Sequence, residues 1–308
     1  MKRIAVLIPC YNEEKTIEKV VSDFRSALPD ADIYVYDNNS ADRSNELARN
    51  AGAIVKKEYK QGKGCVVRSM FNDIDADVYV MVDGDDTYPA EEVDKLLKPV
   101  FDGEADMVVG DRLSSTYLKE NKRPFHNFGN ILVRKLVNLM FHQDLKDIMT
   151  GYRAFSRDFV KSIPVMSDGF QIETEMTVFA IENKFNIKEC SIEYRDRTAG
   201  STSKLHTFRD GFKVLITLFD LFKNYRPLMM FGILATVFAV ISLIIGIPVI
   251  VEYGRYHFVY KVPSAILASA LAINAFLLFC IGLILDAIKN QTKVLLQSIK
   301  TKNRSDKT

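Results

Sequence analysis

Short apolar runs alternate with amphipathic stretches over the first 112 residues of the chain. The predicted strands are 4–9, 32–37, 53–59, 77–83 and 106–110, and the predicted helices between them are 13–28, 42–51, 63–74 and 89–101. Further helices near 128–142 and 171–185 and a strand near 187–194 continue the pattern. Short β-branched runs separated by helical segments are typical of an α/β fold with a mixed, mainly parallel sheet and helices on both faces.

The pattern changes after residue 200. Over 207–227 the spacing of apolar residues suits an amphipathic helix on a membrane surface, although a core-facing helix has the same periodicity. Two runs without charged residues follow, and each exceeds the roughly 20 residues that cross a ~30 Å hydrocarbon core. We therefore predict a soluble domain (1–206), a juxtamembrane helix (207–227), two transmembrane helices joined by a short loop (228–285) and a basic tail (286–308).

The basic residues beside the two spans predict their orientation. Lys223 and Arg226 precede the first span and six Lys or Arg residues lie in the tail, whereas the loop between the spans holds only Arg255 and Lys261. The positive-inside rule then places the soluble domain and both termini of this multi-pass membrane protein in the cytoplasm. The N-terminal apolar run is too short for a secretory signal, which agrees with a cytosolic domain.

Composition narrows the classes of partner. A formal net charge of +2 gives no field that would favour nucleic acid. The four cysteines are scattered without a C-x-x-C pair, as expected for reduced thiols, and the four dispersed histidines argue against a zinc site.

Polar side chains follow four of the predicted strands, at 11–14, 37–40, 60–64 and 83–86. In parallel α/β sheets, ligands bind outside the carboxyl ends of the strands. In the last of these segments, Asp83-Gly84-Asp85 offers two carboxylates that suit Mg²⁺ or Mn²⁺, with substrate phosphates completing the shell. Such turns are also common on protein surfaces, so it is the position at a strand end that indicates a metal site.

Three further segments stay ambiguous on the residues alone. The GKG sequence at 62–64 opens a helix and suits either phosphate binding or a plain turn, and it lacks the spacing of a P-loop. The segment 147–153 is a polar loop. The basic residues at 195–197 and 201–204 suit either a lipid phosphate or the headgroup layer.

Seven motifs follow one another along the chain: IPCYNEE, YDNNSADRS, GKGCVVR, DGDDTYP, DIMTGYRAF, IETE, and RDR with GSTSKL. In this order they resemble family 2 glycosyltransferases of the GT-A fold, most closely the branch that includes dolichol-phosphate mannose synthases and bacterial undecaprenyl-phosphate glucosyltransferases. The resemblance covers about residues 1–215, and the two C-terminal spans match the bacterial members. It implies metal-dependent, inverting transfer of a sugar from a nucleotide-sugar donor to a polyisoprenyl-phosphate lipid at the cytoplasmic membrane face.

The resemblance also implies roles on the donor side. The residues implied for the nucleoside pocket are Pro9, Tyr11, Glu13 and Asp37. Lys63 is implied to lie near the donor, and Asp83 and Asp85 to lie at the diphosphate and the metal. Many relatives carry a Gln that completes the metal shell where this chain has Thr87, so no third protein ligand is implied.

On the acceptor side, the resemblance implies that Arg112 and Arg123 meet the acceptor phosphate and that Asp147 lies near the reaction centre. A phosphate monoester has a second pKa near ~6, so the nucleophile is already anionic at pH 7. A strong general base is therefore not required. We expect Asp147 to orient the acceptor or to remove a residual proton.

The sequence leaves several alternatives open. A UDP-sugar carrying glucose or N-acetylglucosamine is favoured as donor, and GDP-mannose is the alternative. A processive polysaccharide synthase would carry a Gln-x-x-Arg-Trp motif, but the chain has no tryptophan. A non-catalytic membrane scaffold would have eroded metal carboxylates, and Thr87 alone points that way. A homo-oligomer is compatible with the sequence.

Overall fold

The computed structural model describes residues 2–114, 124–169, 171–195, 219–220, 222–223 and 225–305. The chain divides into two compact units, Met1–Val214 and Leu215–Thr308. The first is an α/β domain and the second contains two long helices.

The described part of the first unit forms one sheet of seven strands, with helices between them. The strands are β1 (Ile4–Cys10), β2 (Asp32–Asp37), β3 (Ile54–Lys57), β4 (Val78–Met81), β5 (Met107–Asp111), β6 (Arg153–Ser156) and β7 (Ile187–Ser191). The helices are α1 (Ile17–Ala27), α2 (Ser44–Asn50), α3 (Lys63–Asp73), α4 (Val93–Phe101, after a 3₁₀ turn at Ala90–Glu92), α5 (Pro124–Phe141), α6 (Arg157–Val160) and α7 (Ile172–Glu182).

The sheet is mixed and mainly parallel, as predicted. Its strand order is β3-β2-β1-β4-β6-β5-β7, and β6 runs antiparallel to both of its neighbours while the other pairings are parallel. The sequence pattern did not predict β6, because this strand has only four residues and begins with an arginine. Its antiparallel course brings the segment before it to the carboxyl end of β4.

Alternate residues of β1 enter two separate hydrophobic cores, one on each face of the sheet. Val6 and Ile8 pack with residues of α1 and α4, whereas Ala5 and Leu7 pack with residues of α3 and α7. Each fully buried Val, Ile or Leu side chain of this kind contributes about 1.5–3 kcal/mol to folding. The two cores confirm the prediction of helices on both faces, and they hold rigid the strand ends that carry the polar loops.

The second unit contains α8 (Pro227–Tyr256) and α9 (Val262–Ser305). Pro227–Tyr256 and Val262–Thr292 are long and apolar enough to cross a membrane. Only 17% of the most apolar stretch of each helix is buried, whereas a core helix of a soluble protein would be mostly buried. The two predicted spans coincide with these two apolar helices, and α9 continues through most of the predicted basic tail. The predicted helix 207–227 lies largely outside the described residues.

Candidate functional site

The loops after β1 and β2 are joined by hydrogen bonds at one edge of the sheet. Cys10 pairs with Asp37 at the ends of the two strands, so Asp37 lies beside the start of the 11–14 loop. The backbone N–H of Asn12 donates to Ser40 Oγ at 2.9 Å, and that of Glu13 donates to Ser44 Oγ at 2.7 Å. Of the residues predicted for the nucleoside pocket, Pro9 and Asp37 thus lie at neighbouring strand ends, and Tyr11 and Glu13 lie in the loop that directly follows β1.

Asn38 connects this edge to the loop before α3. Its side-chain oxygen accepts a hydrogen bond from the Gly62 N–H at 2.7 Å, and its amide donates to the carbonyls of Glu58 and Lys60 at 3.0 and 2.8 Å. The side chain is buried. The sequence reasoning gave Asn38 no role, although a buried asparagine between two motifs is well suited to set their spacing.

The two glycines of the GKG motif make room for the chain's own backbone. A Cβ on Gly62 would come within 2.0 Å of the Asp168 carbonyl oxygen, and a Cβ on Gly64 within 2.0 Å of the Ser167 carbonyl oxygen. The Gly64 N–H donates to Asp168 O at 3.0 Å. Close packing against residues 167–168 therefore explains the glycine spacing, and Lys63 is the member of the motif that reaches the site.

Lys63 bridges two carboxylates in the interior. Its Nζ lies 2.5 Å from Asp83 Oδ1 and 2.5 Å from Glu173 Oε1. Burial alone would lower the pKa of Lys63, but the charges of Asp83 and Glu173 outweigh it and raise that pKa above its ordinary value. Lys63 is therefore a permanent cation that fixes the Asp83 side chain.

Glu173 is a site residue that the sequence reasoning quoted within IETE but did not assign. It lies in α7, nine of whose eleven residues are buried. A carboxylate in so buried a helix needs a partner, and Lys63 provides it. The helix contains three glutamates, and nothing local in the sequence distinguishes Glu173, whose partner lies 110 residues away.

The carboxylate oxygens of Asp83 and Asp85 are suitable ligands for a hard divalent cation. Thr87 donates its hydroxyl to Asp85 Oδ1 at 2.6 Å, and both residues are buried. Thr87 thus orients Asp85 and does not add the ligand that a glutamine would. Among the described residues no group of three or more His, Cys, Asp or Glu side chains is arranged to hold a metal ion. Two carboxylates still fit Mg²⁺ or Mn²⁺, whose remaining ligands are commonly substrate phosphates and water.

Arg112 and Asp147 form a buried ion pair. Arg112 Nε donates to Asp147 Oδ2 at 2.8 Å, and the Asp147 side chain has no exposed surface. The Arg112 guanidinium also lies over the ring of Tyr194, 5.9 Å from its centroid. Two of the three predicted acceptor-side residues are thus brought together. The third, Arg123, lies outside the described residues.

The loop before β6 joins the acceptor side to the metal side. A Cβ on Gly151 would come within 2.3 Å of Asp83 Oδ2, so a side chain at this position would displace the Asp83 carboxylate. The Gly151 N–H donates to the hydroxyl of Tyr88 at 3.2 Å, and the Thr150 hydroxyl donates to the same atom at 3.4 Å. Burial raises the pKa of Tyr88, and the positive charge of Arg112 only partly offsets this effect. The pKa therefore stays above its ordinary value, so Tyr88 is a neutral phenol. The missed strand β6 is what positions this loop.

The basic junction near residue 195 is described only in part. Arg195 donates to Glu91 Oε2 at 3.1 Å, and its backbone N–H donates to Thr87 O at 2.9 Å. The remaining basic residues of that junction, at 197 and 204, lie outside the described residues, as does most of the polar segment 113–127.

Sequence comparison places these residues among known proteins. The profile described as Glycosyl transferase family 2 matches residues 5–163. The glycosyltransferase AglJ of Haloferax volcanii is 36% identical over 230 residues, which cover 74% of this chain and 75% of that protein. The dolichyl-phosphate hexose transferase of the same organism is 33% identical over 208 residues, which cover 68% of this chain and 89% of that protein.

Structure comparison confirms the predicted GT-A fold. The crystal structure of glucosyl-3-phosphoglycerate synthase from Mycobacterium tuberculosis, in complex with Mn²⁺, UDP-glucose and phosphoglyceric acid, matches with a TM-score of 0.58. The match covers 71% of this chain and 79% of that chain at 20% sequence identity. At this identity the likeness concerns the fold.

Proposed function

The chain belongs to the family 2 glycosyltransferases, and we propose that it transfers a hexose from a nucleotide-sugar to a polyisoprenyl phosphate at the cytoplasmic face of a membrane. The favoured donor is UDP-glucose or UDP-N-acetylglucosamine, and the favoured acceptor is undecaprenyl phosphate. The relative that is named a dolichyl-phosphate hexose transferase supports a lipid phosphate as acceptor. The two apolar helices support a membrane location for it.

The observation that carries this proposal is the contact between Gly151 and Asp83. This contact joins the turn that carries Asp83 and Asp85 to the loop that carries Asp147. Carboxylates for a metal–diphosphate group and a buried arginine for a second phosphate thus converge at the carboxyl ends of β4 and β5. A site for two phosphorylated substrates is what transfer from a nucleotide-sugar to a lipid phosphate requires.

In the proposed reaction, an oxygen of the lipid phosphate bonds to the anomeric carbon while the bond from that carbon to the donor diphosphate breaks, with inversion. Asp83 and Asp85 would hold Mg²⁺ or Mn²⁺, which when bound neutralises charge on the leaving diphosphate. Lys63 fixes Asp83 by its 2.5 Å contact. Arg112, oriented by Asp147, binds the acceptor phosphate. Positioning two anionic substrates supplies much of the acceleration.

The solved neighbour supports the choice of metal and donor. Its complex contains Mn²⁺ and UDP-glucose. The charge distribution supports the cytoplasmic orientation of the soluble domain. The segments that flank the two spans contain Lys223, Arg226 and six basic residues of the tail, whereas the loop between the spans contains only Arg255 and Lys261. The same face then holds the active site, the soluble nucleotide pool and the lipid phosphate.

The test is transfer of radiolabel from UDP-glucose, UDP-N-acetylglucosamine and GDP-mannose to undecaprenyl phosphate in detergent with Mg²⁺ or Mn²⁺. We expect one donor to label the lipid fraction and EDTA to abolish the label. Asp85→Asn should abolish the label too. Asp86→Asn is the matched control and should keep it, because the Asp86 carboxylate is paired with Lys19 at 2.6 Å and is not a proposed metal ligand. The left-handed backbone of Asp86 (φ 57°) also suits asparagine. Folded protein that labels no lipid from any donor would refute the proposal.

A further inference from the structure

The segment that carries Asp147 is fixed by side chains from two strands of the sheet, β6 and β7. Val109 of β5 pairs with Arg153 of β6 on one side and with Glu189 of β7 on the other. The three residues therefore lie at one level of the sheet, directly below the loop 146–152 that leads into β6. Arg153 and Glu189 both bond to the backbone of that loop.

Arg153 holds the loop by its carbonyl groups. Its guanidinium donates to Ile148 O at 2.5 Å, to Thr150 O at 3.0 Å and to Thr177 Oγ1 at 2.9 Å. The side chain is fully buried, and burial lowers the pKa of Arg153 to about 10. An arginine so buried and bonded to neutral acceptors is costly to place, which indicates that the loop geometry depends on it.

Glu189 holds the same loop by its N–H groups. Its Oε1 accepts from the backbone N–H of Lys146 at 2.8 Å and of Asp147 at 3.0 Å, and its Oε2 accepts from Lys146 at 3.0 Å. Burial, together with the charges of Asp111 and Asp147, raises the pKa of Glu189. A carboxylate beside two others is electrostatically unfavourable, so its contribution lies in accepting these N–H groups.

From Glu189 the contacts continue to the acceptor side of the site. The N–H of Asp147 bonds to Glu189, Asp147 Oδ1 accepts the Met149 N–H at 3.2 Å, and Asp147 Oδ2 accepts from Arg112. We propose that Glu189 is a positioning residue that fixes Asp147, and through it Arg112, for the acceptor phosphate. This inference rests on the proposed function for the identity of the acceptor, but its contact with the loop can be tested independently.

The first measurement is hydrogen–deuterium exchange in residues 144–149 of the full-length protein. Glu189→Ala removes the acceptors of the Lys146 and Asp147 N–H groups, so these amides should exchange about tenfold faster. Glu189→Gln keeps one oxygen and should give an intermediate rate. Glu193→Ala and Glu193→Gln are matched controls, because Glu193 is exposed and lies four residues further on. Unchanged exchange in Glu189→Ala would overturn the inference whatever the acceptor is.

The second measurement separates positioning from general stability. In Glu189→Ala, kcat/KM for the lipid phosphate should fall about tenfold or more, because small displacements of positioning groups are costly, while KM for the nucleotide-sugar stays unchanged. Glu189→Gln should restore part of the loss. Equal losses for donor and acceptor would show a merely structural role and contradict the inference. If the wild-type protein transfers nothing to lipid phosphate, the proposed function fails, and the exchange result alone decides on Glu189.

Discussion

Arg112 donates to Asp147 across 2.8 Å, and the side chain of Asp147 has no exposed surface. A carboxylate enclosed in this way cannot contact a substrate proton without rearrangement. Of the two roles expected for Asp147, orientation of the acceptor is therefore favoured over removal of a proton, and it acts through the Arg112 guanidinium.

Asp147→Asn should weaken acceptor binding without changing the pH dependence of the reaction. The amide keeps the shape of the carboxylate but loses its charge, so Arg112 is held less firmly and KM for the lipid phosphate should rise about tenfold. The acid limb of the kcat/KM profile should stay near ~6, where the phosphate nucleophile is protonated. Disappearance of that limb in Asp147→Asn would show instead that Asp147 is the titrating base.

Lys63→Met should destabilise the domain and abolish transfer. Removing one partner of a buried ion pair costs about 3–5 kcal/mol, because Glu173 and Asp83 lose their shared cation. Lys56→Met is the matched control, since Lys56 and Asp73 form an exposed pair at 3.4 Å that contributes at most about 1 kcal/mol. The free energy of unfolding in denaturant measures both. Similar values for the two variants would refute the structural role of Lys63.

Gly151→Ala should impair catalysis through Asp83. The added methyl group would meet Asp83 Oδ2 at 2.3 Å, so the carboxylate must move. We expect kcat to fall about 10²-fold, the cost of a displacement of roughly 1 Å at a catalytic centre. In Gly254→Ala, the added methyl group meets nothing within 4 Å, and this variant should keep full activity. An active Gly151→Ala enzyme would show that the two motifs do not share one site.

Cys10 should be inert to alkylation in the folded protein. Burial raises the pKa of its thiol from 9.0 to about 12, so almost no thiolate exists at pH 8. Iodoacetamide labelling followed by mass spectrometry should modify Cys190, which is only half-buried, before Cys10. Equal labelling of the two in the folded state would contradict the packing of β1.

The raised pKa of Cys10 should make the folded protein less stable at alkaline pH. The native thiol keeps its proton up to about pH 12, whereas the unfolded thiol loses it near 9.0. The free energy of unfolding should therefore fall as pH rises through this interval. Cys10→Ala should lose this part of the pH dependence, which thermal unfolding at pH 8, 9 and 10 can measure.

The sequence predicted the elements whose signal is local. Apolar periodicity predicted β1 and β2, and the absence of charge predicted α8 and α9. The strand β6 was missed because four residues beginning with a buried arginine carry no periodic pattern. Its stability comes from pairing with β4 and β5, which local propensity does not register.

For the candidate site, the sequence indicated residues for the proposed chemistry but not the partners that hold them. Asp83, Lys63 and Asp147 were chosen from their motifs, but the partners that fix them are distant in sequence. Glu173 is 110 residues from Lys63, and Glu189 is 42 from Asp147. The glycines beside Lys63 illustrate the converse, because close packing against residues 167–168 accounts for spacing that also suits phosphate binding.

The most direct test of the lipid phosphate as acceptor compares undecaprenyl phosphate with undecaprenol, which lacks the phosphate, using the donor that labels lipid. If the phosphate oxygen is the nucleophile and Arg112 binds it, only the phosphate lipid should be labelled, and the product should be a phosphodiester-linked sugar. Arg112→Met should remove this labelling, while donor binding stays unchanged. Equal labelling of undecaprenol, or labelling of 3-phosphoglycerate in place of either lipid, would contradict a polyisoprenyl-phosphate glycosyltransferase.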